Sequence, residues 1–433
     1  MQLRGALVST FRRVMRLYFR DIERVGHAPR ADTRGRVFVS NHYNALIDPI
    51  LVLTDAACEI SPIAKSTLWN VPGLKWLLDR AGAVPIVRRK DSPEKAASAN
   101  DAAFEKIAAH LSSGGNILIF PEGTSHSEPQ LAPLKTGAAR MLLAAERAGG
   151  EPPTFQAAAL EFDERTTFRS RCLVLWGPVR RFAEVAGQTD DERVAAATAQ
   201  MDEDLRELLV EGETHDERRR IARVAELLAH DAGTDSLGAW NDFGRKVEIA
   251  ARTLSDAASH GEGGTTGHTQ VVAARVDAYF AALAQLGIGD AQVVGNLPAR
   301  ARPPLWKQVA LAPLAASGIA LYALPYFIPR FVARKSDADA VSTVKLGAAL
   351  VVYPLWMGGL VGASLLLLPP LLSFGAAAIA IASPFAALAW MDAWYERRPE
   401  PTAAQLTELV RLRRDAVAAI DEARAKLQPA ISS

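Results

Sequence analysis

The sequence predicts an α/β fold: a mostly parallel sheet flanked by helices, followed by a helical extension and an apolar C-terminal helical hairpin. Three observations predict it. Between residues 37 and 179, short β-branched and aromatic runs alternate with longer helical ones, the pattern of strands joined through crossover helices. From 180 to 255 the chain turns charged and helix-periodic (DERVAAATAQMDEDLRELL, THDERRRIARVAELL). Beyond 305 two runs carry no charge, 309–329 and 346–391, the second about twice the roughly 20 residues that span a bilayer.

Residues 1–30 interleave Leu7, Phe11, Val14, Met15 and Ile22 with Arg4, Arg12, Arg13, Arg16 and Arg20. This is a basic amphipathic helix without the uncharged core of a signal peptide. It fits an anionic membrane surface or the flank of the next domain, with its arginines in solvent. Strands are expected at 37–40, 60–64, 84–87, 116–120, 155–161 and 173–176, and helices at 49–57, 92–112 and 137–147, so 31–180 forms one domain. The run 65–78 (KSTLWNVPGLKWLL) holds two tryptophans and a Pro-Gly pair; it reads as core packing, as a wall for an acyl chain or as a membrane contact. A helical extension covers 181–304, with a Gly-rich linker at 259–269 and an amphipathic helix near 271–285, and a charged helix closes the chain within 396–433.

Composition excludes several classes of function. A net charge of +1 leaves no nucleic-acid footprint. Two cysteines, Cys58 and Cys172, make no disulfide framework, and eight scattered histidines form no metal-ligand cluster. No metal or cofactor is expected.

Chemistry concentrates at two strand ends. The first is Ser40-Asn41-His42-Tyr43-Asn44-Ala45-Leu46-Ile47-Asp48-Pro49. A neutral imidazole takes a proton from a hydroxyl near pH 7 when a carboxylate fixes its tautomer, and Asp48 is the nearest carboxylate. The two are six positions apart, so they meet only if 44–46 turns. Otherwise His42 is a solvated loop residue and Asp48 caps the next helix. The second strand end is Ile117 to His126 (ILIFPEGTSH), a buried run followed at once by a proline, an acid and a glycine.

Together these blocks resemble the glycerophospholipid acyltransferase superfamily, with its Asn-His...Asp and Phe-Pro-Glu-Gly-Thr hallmarks, over roughly residues 18–179. The resemblance implies a glycerolipid acyltransferase-like sheet, with His42 and Asp48 as catalytic residues. It places Asn41, Asn44, Arg88, Glu122, Gly123, Thr124 and Lys135 among the substrate-binding positions. Arg88 comes from a Gly-to-Arg segment (GAVPIVR) and Lys135 from Leu-Lys-Thr-Gly, both as phosphate contacts. Glu122 would meet an acceptor hydroxyl or orient Arg88, and the two asparagines would bind substrate or their own turn's backbone. Residues 156–162 (QAAALEF) lack the proline of the family's fourth block, and five residues rather than the common four separate His42 from Asp48. The longer spacing is similar to the fungal-type glycerol-3-phosphate/dihydroxyacetone-phosphate branch and its bacterial relatives. His126 is read as a bystander.

The implied activity is transfer of an acyl group from acyl-CoA or acyl carrier protein to glycerol-3-phosphate or its monoacyl form, at a membrane, with another lysophospholipid as the alternative acceptor. No G-x-S-x-G elbow supports a serine hydrolase. A silent scaffold would not need both blocks. The apolar region, 305–395, reads as a hairpin turning at Pro369-Pro370. With both hairpin ends in the cytoplasm, beside the catalytic domain, Arg330, Arg334, Lys335 and Lys345 lie inside. The first run, 309–329, is interrupted by Pro313, Pro325 and Pro329 and reads as a full span, a re-entrant segment or an interfacial helix. The cytoplasmic arrangement requires it not to cross, or the amino-terminal domain to lie outside.

Overall fold

The computed structural model describes residues 2–87, 93–259, 265–295, 304–395 and 401–431. The chain divides into two compact units, Met1–His215 and Asp216–Ser433.

The first unit is a seven-stranded sheet. Its elements run α1 (Gln2–Tyr18), β1 (Asp21–Val25), β2 (Arg36–Val39), α2 (Ile47–Asp55), β3 (Ser61–Lys65), α3 (Leu74–Ala81), β4 (Val84–Ile86), α4 (Pro93–Ser112), β5 (Asn116–Ile119), α5 (Gly137–Arg147), β6 (Thr154–Phe162), β7 (Arg171–Arg181) and α6 (Asp190–Arg206). The strand order is β1-β7-β6-β2-β5-β3-β4, and among the described residues only β6 and β7 pair antiparallel. The central strands β2 and β5 are apolar runs (RVFV, NILI) whose Val37, Phe38, Val39, Ile117 and Leu118 are fully buried, as strands covered on both faces require.

Three expectations change here. Residues 1–30 are not one helix: α1 ends at Tyr18, and 21–25 is the edge strand β1, parallel to β7. Its alternating charges (DIERV) suit an exposed edge and hide the strand from hydropathy. Helix α1 packs on α2 and α3. Its Arg12 donates to Thr54 O at 2.7 Å and Arg4 to Ile60 O, while Met15, Tyr18 and Phe19 are buried, so two arginines bond carbonyls of this unit instead of facing solvent. Of the run 65–78 only Leu78 is buried; Trp76 is 60% exposed, which overturns core packing. Helix α6, expected in the extension, packs on α5, β6 and β7 within this first unit. It starts at a capping box between Thr189 and Glu192.

Among the described residues the second unit has only helices: α7 (His215–Asp231), α8 (Leu237–Ser259), α9 (Thr265–Leu286), α10 (Asp290–Val294), α11 (Leu305–Ala333), α12 (Val341–Leu367), α13 (Pro370–Tyr395) and α14 (Ala403–Ile431). Part of the expected linker, 265–269, is helical, and 260–264 lies outside the described residues. A core of Val224, Leu227, Val276, Tyr279, Leu283, Ile288, Val293, Leu409, Ala416 and Ile420 joins α7, α9, α10 and α14. Among the described residues three helices are long and apolar enough to cross a membrane: α12 and residues 370–393 of α13, which cover the expected hairpin, and α11, which covers the first apolar run. The prolines at 313, 325 and 329 do not break α11.

Candidate active site

Adjacent parallel strands bring the two motif blocks together. Val39 of β2 pairs with Ile119 of β5, and the Ser40 N–H donates to Ile119 O at 3.2 Å, so both turns leave the carboxyl edge of the sheet side by side.

The first turn is built around Asp48, fully buried in the opening turn of α2. Its Oδ2 lies 3.0 Å from His42 Nδ1 and accepts the Asn44 N–H at 2.7 Å. An ionised carboxylate only accepts, so Nδ1 carries the imidazole proton and Nε2 presents its lone pair. Nε2 makes no hydrogen bond among the described residues. Between His42 and Asp48 the chain turns at Ala45, which takes φ +36°, and the Ile47 N–H closes the turn on Asn44 O at 2.9 Å. Asp48 is therefore not a helix cap; the N-cap position is Leu46, with no side-chain capping bond. His42 is not a solvated loop residue either. Its side chain is 14% exposed, and its ring stacks on Phe120 with centroids 4.1 Å apart.

Glu122 is buried and occupies the centre of the second turn. Its Oε1 accepts the His42 backbone N–H at 2.6 Å, and its Oε2 accepts the Ala132 N–H at 2.9 Å and contacts His126 Nε2. The Glu128 N–H donates to His126 Nδ1 at 3.2 Å, so that nitrogen is an acceptor and Nε2–H points at the carboxylate. The His126 N–H donates to His42 O at 3.1 Å, which ties the two turns together again. His126 is thus part of the site and not a bystander. Among the described residues Glu122 holds the protein's own backbone and His126; the acceptor hydroxyl and Arg88 expected beside it lie outside them.

Gly123 has φ +78°, and a Cβ there would collide with Lys135 Nζ, which folds back over the turn. The Lys135 N–H is held by Pro121 O at 2.9 Å. Thr124 stays in the same turn, its hydroxyl donating to Ser125 O at 3.4 Å. Asn41 faces the sheet: its Nδ2 donates to Leu160 O at 2.9 Å and its Oδ1 accepts the Leu160 N–H at 2.8 Å, extending the β2–β6 pairing by one side chain. Asn44 Nδ2 donates to Arg165 O at 3.2 Å. Arg165 in turn reaches His126 O at 3.3 Å and Ser127 Oγ at 3.1 Å, so the loop between β6 and β7 braces both motif turns. Arg88 lies outside the described residues. Among the described residues no group of three His, Cys, Asp or Glu side chains could hold a metal.

Three site residues escaped the sequence. Phe120 and His126 stood inside the second block, where spacing alone could not give them partners. Arg165 sits in a loop with no motif at all.

Residues 19–155 match the profile of the family described as Acyltransferase. This segment is similar to the Acyltransferase family. It contains both motif turns. Relatives include glycerol-3-phosphate O-acyltransferase 2 of Saccharomyces cerevisiae, 39% identical over 18% of this chain and 11% of that protein. A chloroplastic 1-acyl-sn-glycerol-3-phosphate acyltransferase of Brassica napus is 29% identical over 28% of this chain and 33% of its own. A similar plant enzyme from Arabidopsis thaliana is 29% identical over 27% and 31%. The chain thus matches a third or less of these relatives' lengths. A crystal structure of the 1-acyl-sn-glycerophosphate acyltransferase of Thermotoga maritima aligns with a TM-score of 0.33 at 16% identity, over 47% of this chain and 79% of that one.

Proposed function

We propose that the Acyltransferase domain moves a fatty acyl group from acyl-CoA or an acyl carrier protein to the hydroxyl of glycerol-3-phosphate or 1-acylglycerol-3-phosphate, on a membrane and facing the cytoplasm. The observation that carries this reading is His42, held by Asp48 through Nδ1 at 3.0 Å and stacked on Phe120, with Nε2 left as a base. In the reaction the acceptor hydroxyl gives its proton to Nε2 as its oxygen attacks the thioester carbonyl. The tetrahedral adduct then expels the thiolate, which takes the proton back from His42. Asp48 stabilises the imidazolium between the two steps. No covalent acyl-enzyme is needed.

Lys135 and Arg88 keep the phosphate roles that their motifs imply, and the approach of Lys135 Nζ to the Gly123 turn supports the first. The five-residue spacing and the yeast relative favour glycerol-3-phosphate, and the plant relatives keep the monoacyl acceptor as the second reading.

The test is acyl transfer by purified protein in detergent, with labelled acyl-CoA or acyl carrier protein and each acceptor offered separately. Product with wild type and a loss on the order of 10³-fold or more in His42→Ala, with unchanged expression and melting, are expected for a positioned general base. Transfer retained by His42→Ala would remove the base assignment. Product from neither acceptor with either donor would overturn the substrate assignment.

A further inference from the structure

The second unit fixes the parity of its membrane crossings. Helix α14 follows the three apolar helices in sequence, and α7, α9 and α10 precede them, yet all four share one core. At its centre Asp290 is fully buried. It accepts from Arg413 Nε of α14 at 2.8 Å and from the Tyr279 hydroxyl of α9, and it pairs with His230 Nδ1 of α7 at 2.6 Å. Arg413 also bonds Asp231 Oδ1 at 2.7 Å, and Arg275 of α9 meets Asp415 at 3.3 Å. No bilayer can run through this cluster: beside the buried Asp290 it carries Arg275 and Asp231, charged groups with exposed surface that hydrocarbon does not hold.

The apolar helices themselves agree. Gly318 of α11 lies against the backbone of Ser383 on α13, and the Tyr322 hydroxyl, one turn further along α11, donates to Ala380 O at 2.8 Å, three residues earlier on α13. The pair is antiparallel, so the first residue of α11 and the last of α13 lie at the same end. The connecting segments are charged, with Arg300 and Arg302 ahead of α11 and Glu396, Arg397, Arg398 and Glu400 after α13, so neither can cross in place of a helix.

We propose that α11, α12 and α13 cross the bilayer an even number of times, so that α7–α10 and α14 occupy one side of it. Three helices of spanning length then do not make three spans; one of them turns back or lies in the interface. This inference stands on the second unit alone and does not depend on the acyl-transfer reading.

The test uses the full chain carrying Cys58→Ser, with Cys172 left buried as it stands. Single cysteines are placed at two exposed positions, Ala232→Cys after α7 and Ala404→Cys at the start of α14. Both are exposed to a membrane-impermeant maleimide in intact spheroplasts and in inverted membrane vesicles. Labelling of both from the same face, at least tenfold over the other face, is expected. Labelling from opposite faces overturns the proposal. A protease-cleavable tag after Ser433, scored in the same vesicles without either cysteine, gives the second reading: cleavage on the face that labels position 232 agrees with even parity, and cleavage on the other face rejects it.

Discussion

At the scale of single residues, the site depends on a carboxylate that holds its own backbone. The Glu122 carboxylate receives three donors: the His42 and Ala132 backbone amides and His126 Nε2. In Glu122→Gln one of those donors faces an amide NH2 that cannot accept. The loss of a charged hydrogen bond costs about 1.5–3 kcal/mol, here through displacement of His42. A fall in kcat on the order of 10–100-fold is expected, with the acceptor KM within about twofold; a KM that rises while kcat holds would put Glu122 on the substrate instead. Ala45 gives a second prediction. Its φ of +36° strains an L side chain by about 1–2 kcal/mol, which Ala45→Gly relieves and Ala45→Val deepens through its β-branch. Thermal melting should rise slightly in the first and fall clearly in the second, and equal melting of the two would mean the turn relaxes freely. The sequence showed His42 and Asp48 and left their meeting open, because six positions of chain do not say which residue accepts a left-handed turn. Asn41 illustrates a different limit. Its amide mimics a strand's donor and acceptor toward Leu160, a long-range pairing that no local pattern encodes.

At the scale of elements, the apolar and alternating strands were legible and the charged one was not. β2, β5 and β6 are covered strands and announce themselves as hydrophobic runs, whereas β1 lies at an edge and reads as part of the preceding helix. Proline misled in the opposite direction. Pro313, Pro325 and Pro329 left 309–329 open between a span, a re-entrant segment and an interfacial helix, but α11 is one continuous helix, with its close packing provided by a glycine. Helices in lipid associate through small residues that let backbones approach. A Cβ at Gly318 would run into the carbonyl of Ser383, so Gly318→Ala should force α11 and α13 apart at about 1–3 kcal/mol, the usual cost of overpacking. Gly347 of α12 has nothing within reach of a Cβ, so Gly347→Ala should be neutral or stabilising by up to about 1 kcal/mol. Denaturation in mixed micelles compares the two, and equal effects would show that the α11–α13 contact does not hold the helices together.

At the scale of the whole molecule, the fold class and the two motif turns were readable because each is local in sequence, while the division into two units was not. The cluster that closes the second unit is assembled from α7, α9, α10 and α14, elements up to 186 positions apart. Its histidine makes that closure depend on pH. Burial pushes the His230 imidazole down, but hydrogen bonds to Asp235 and Asp290 and the charges of Asp290 and Glu226 outweigh this and raise it from 6.5 to about 9. Burial likewise pushes Asp290 up, and its bonds to His230, Arg413 and Tyr279 hold it below the ordinary carboxylate value, so Asp290 stays ionised above neutrality. A histidine whose folded pKa exceeds its unfolded one contributes its full stability below the unfolded value and loses it as pH rises through the folded value. The shift is worth about 3 kcal/mol at roughly 1.4 kcal/mol per unit, withdrawn between pH 6.5 and about 9. The Asp290 contribution is lost only as pH falls through the acid range, so it does not offset this. Amide exchange along α7 and α9 should therefore accelerate by about two orders of magnitude over that window, after correction for the intrinsic pH dependence of exchange. In His230→Gln the corrected rates should be flat across it. A wild-type protein equally flat would mean that His230 is neutral in the folded unit and that Asp290 is held by Arg413 and Tyr279 alone.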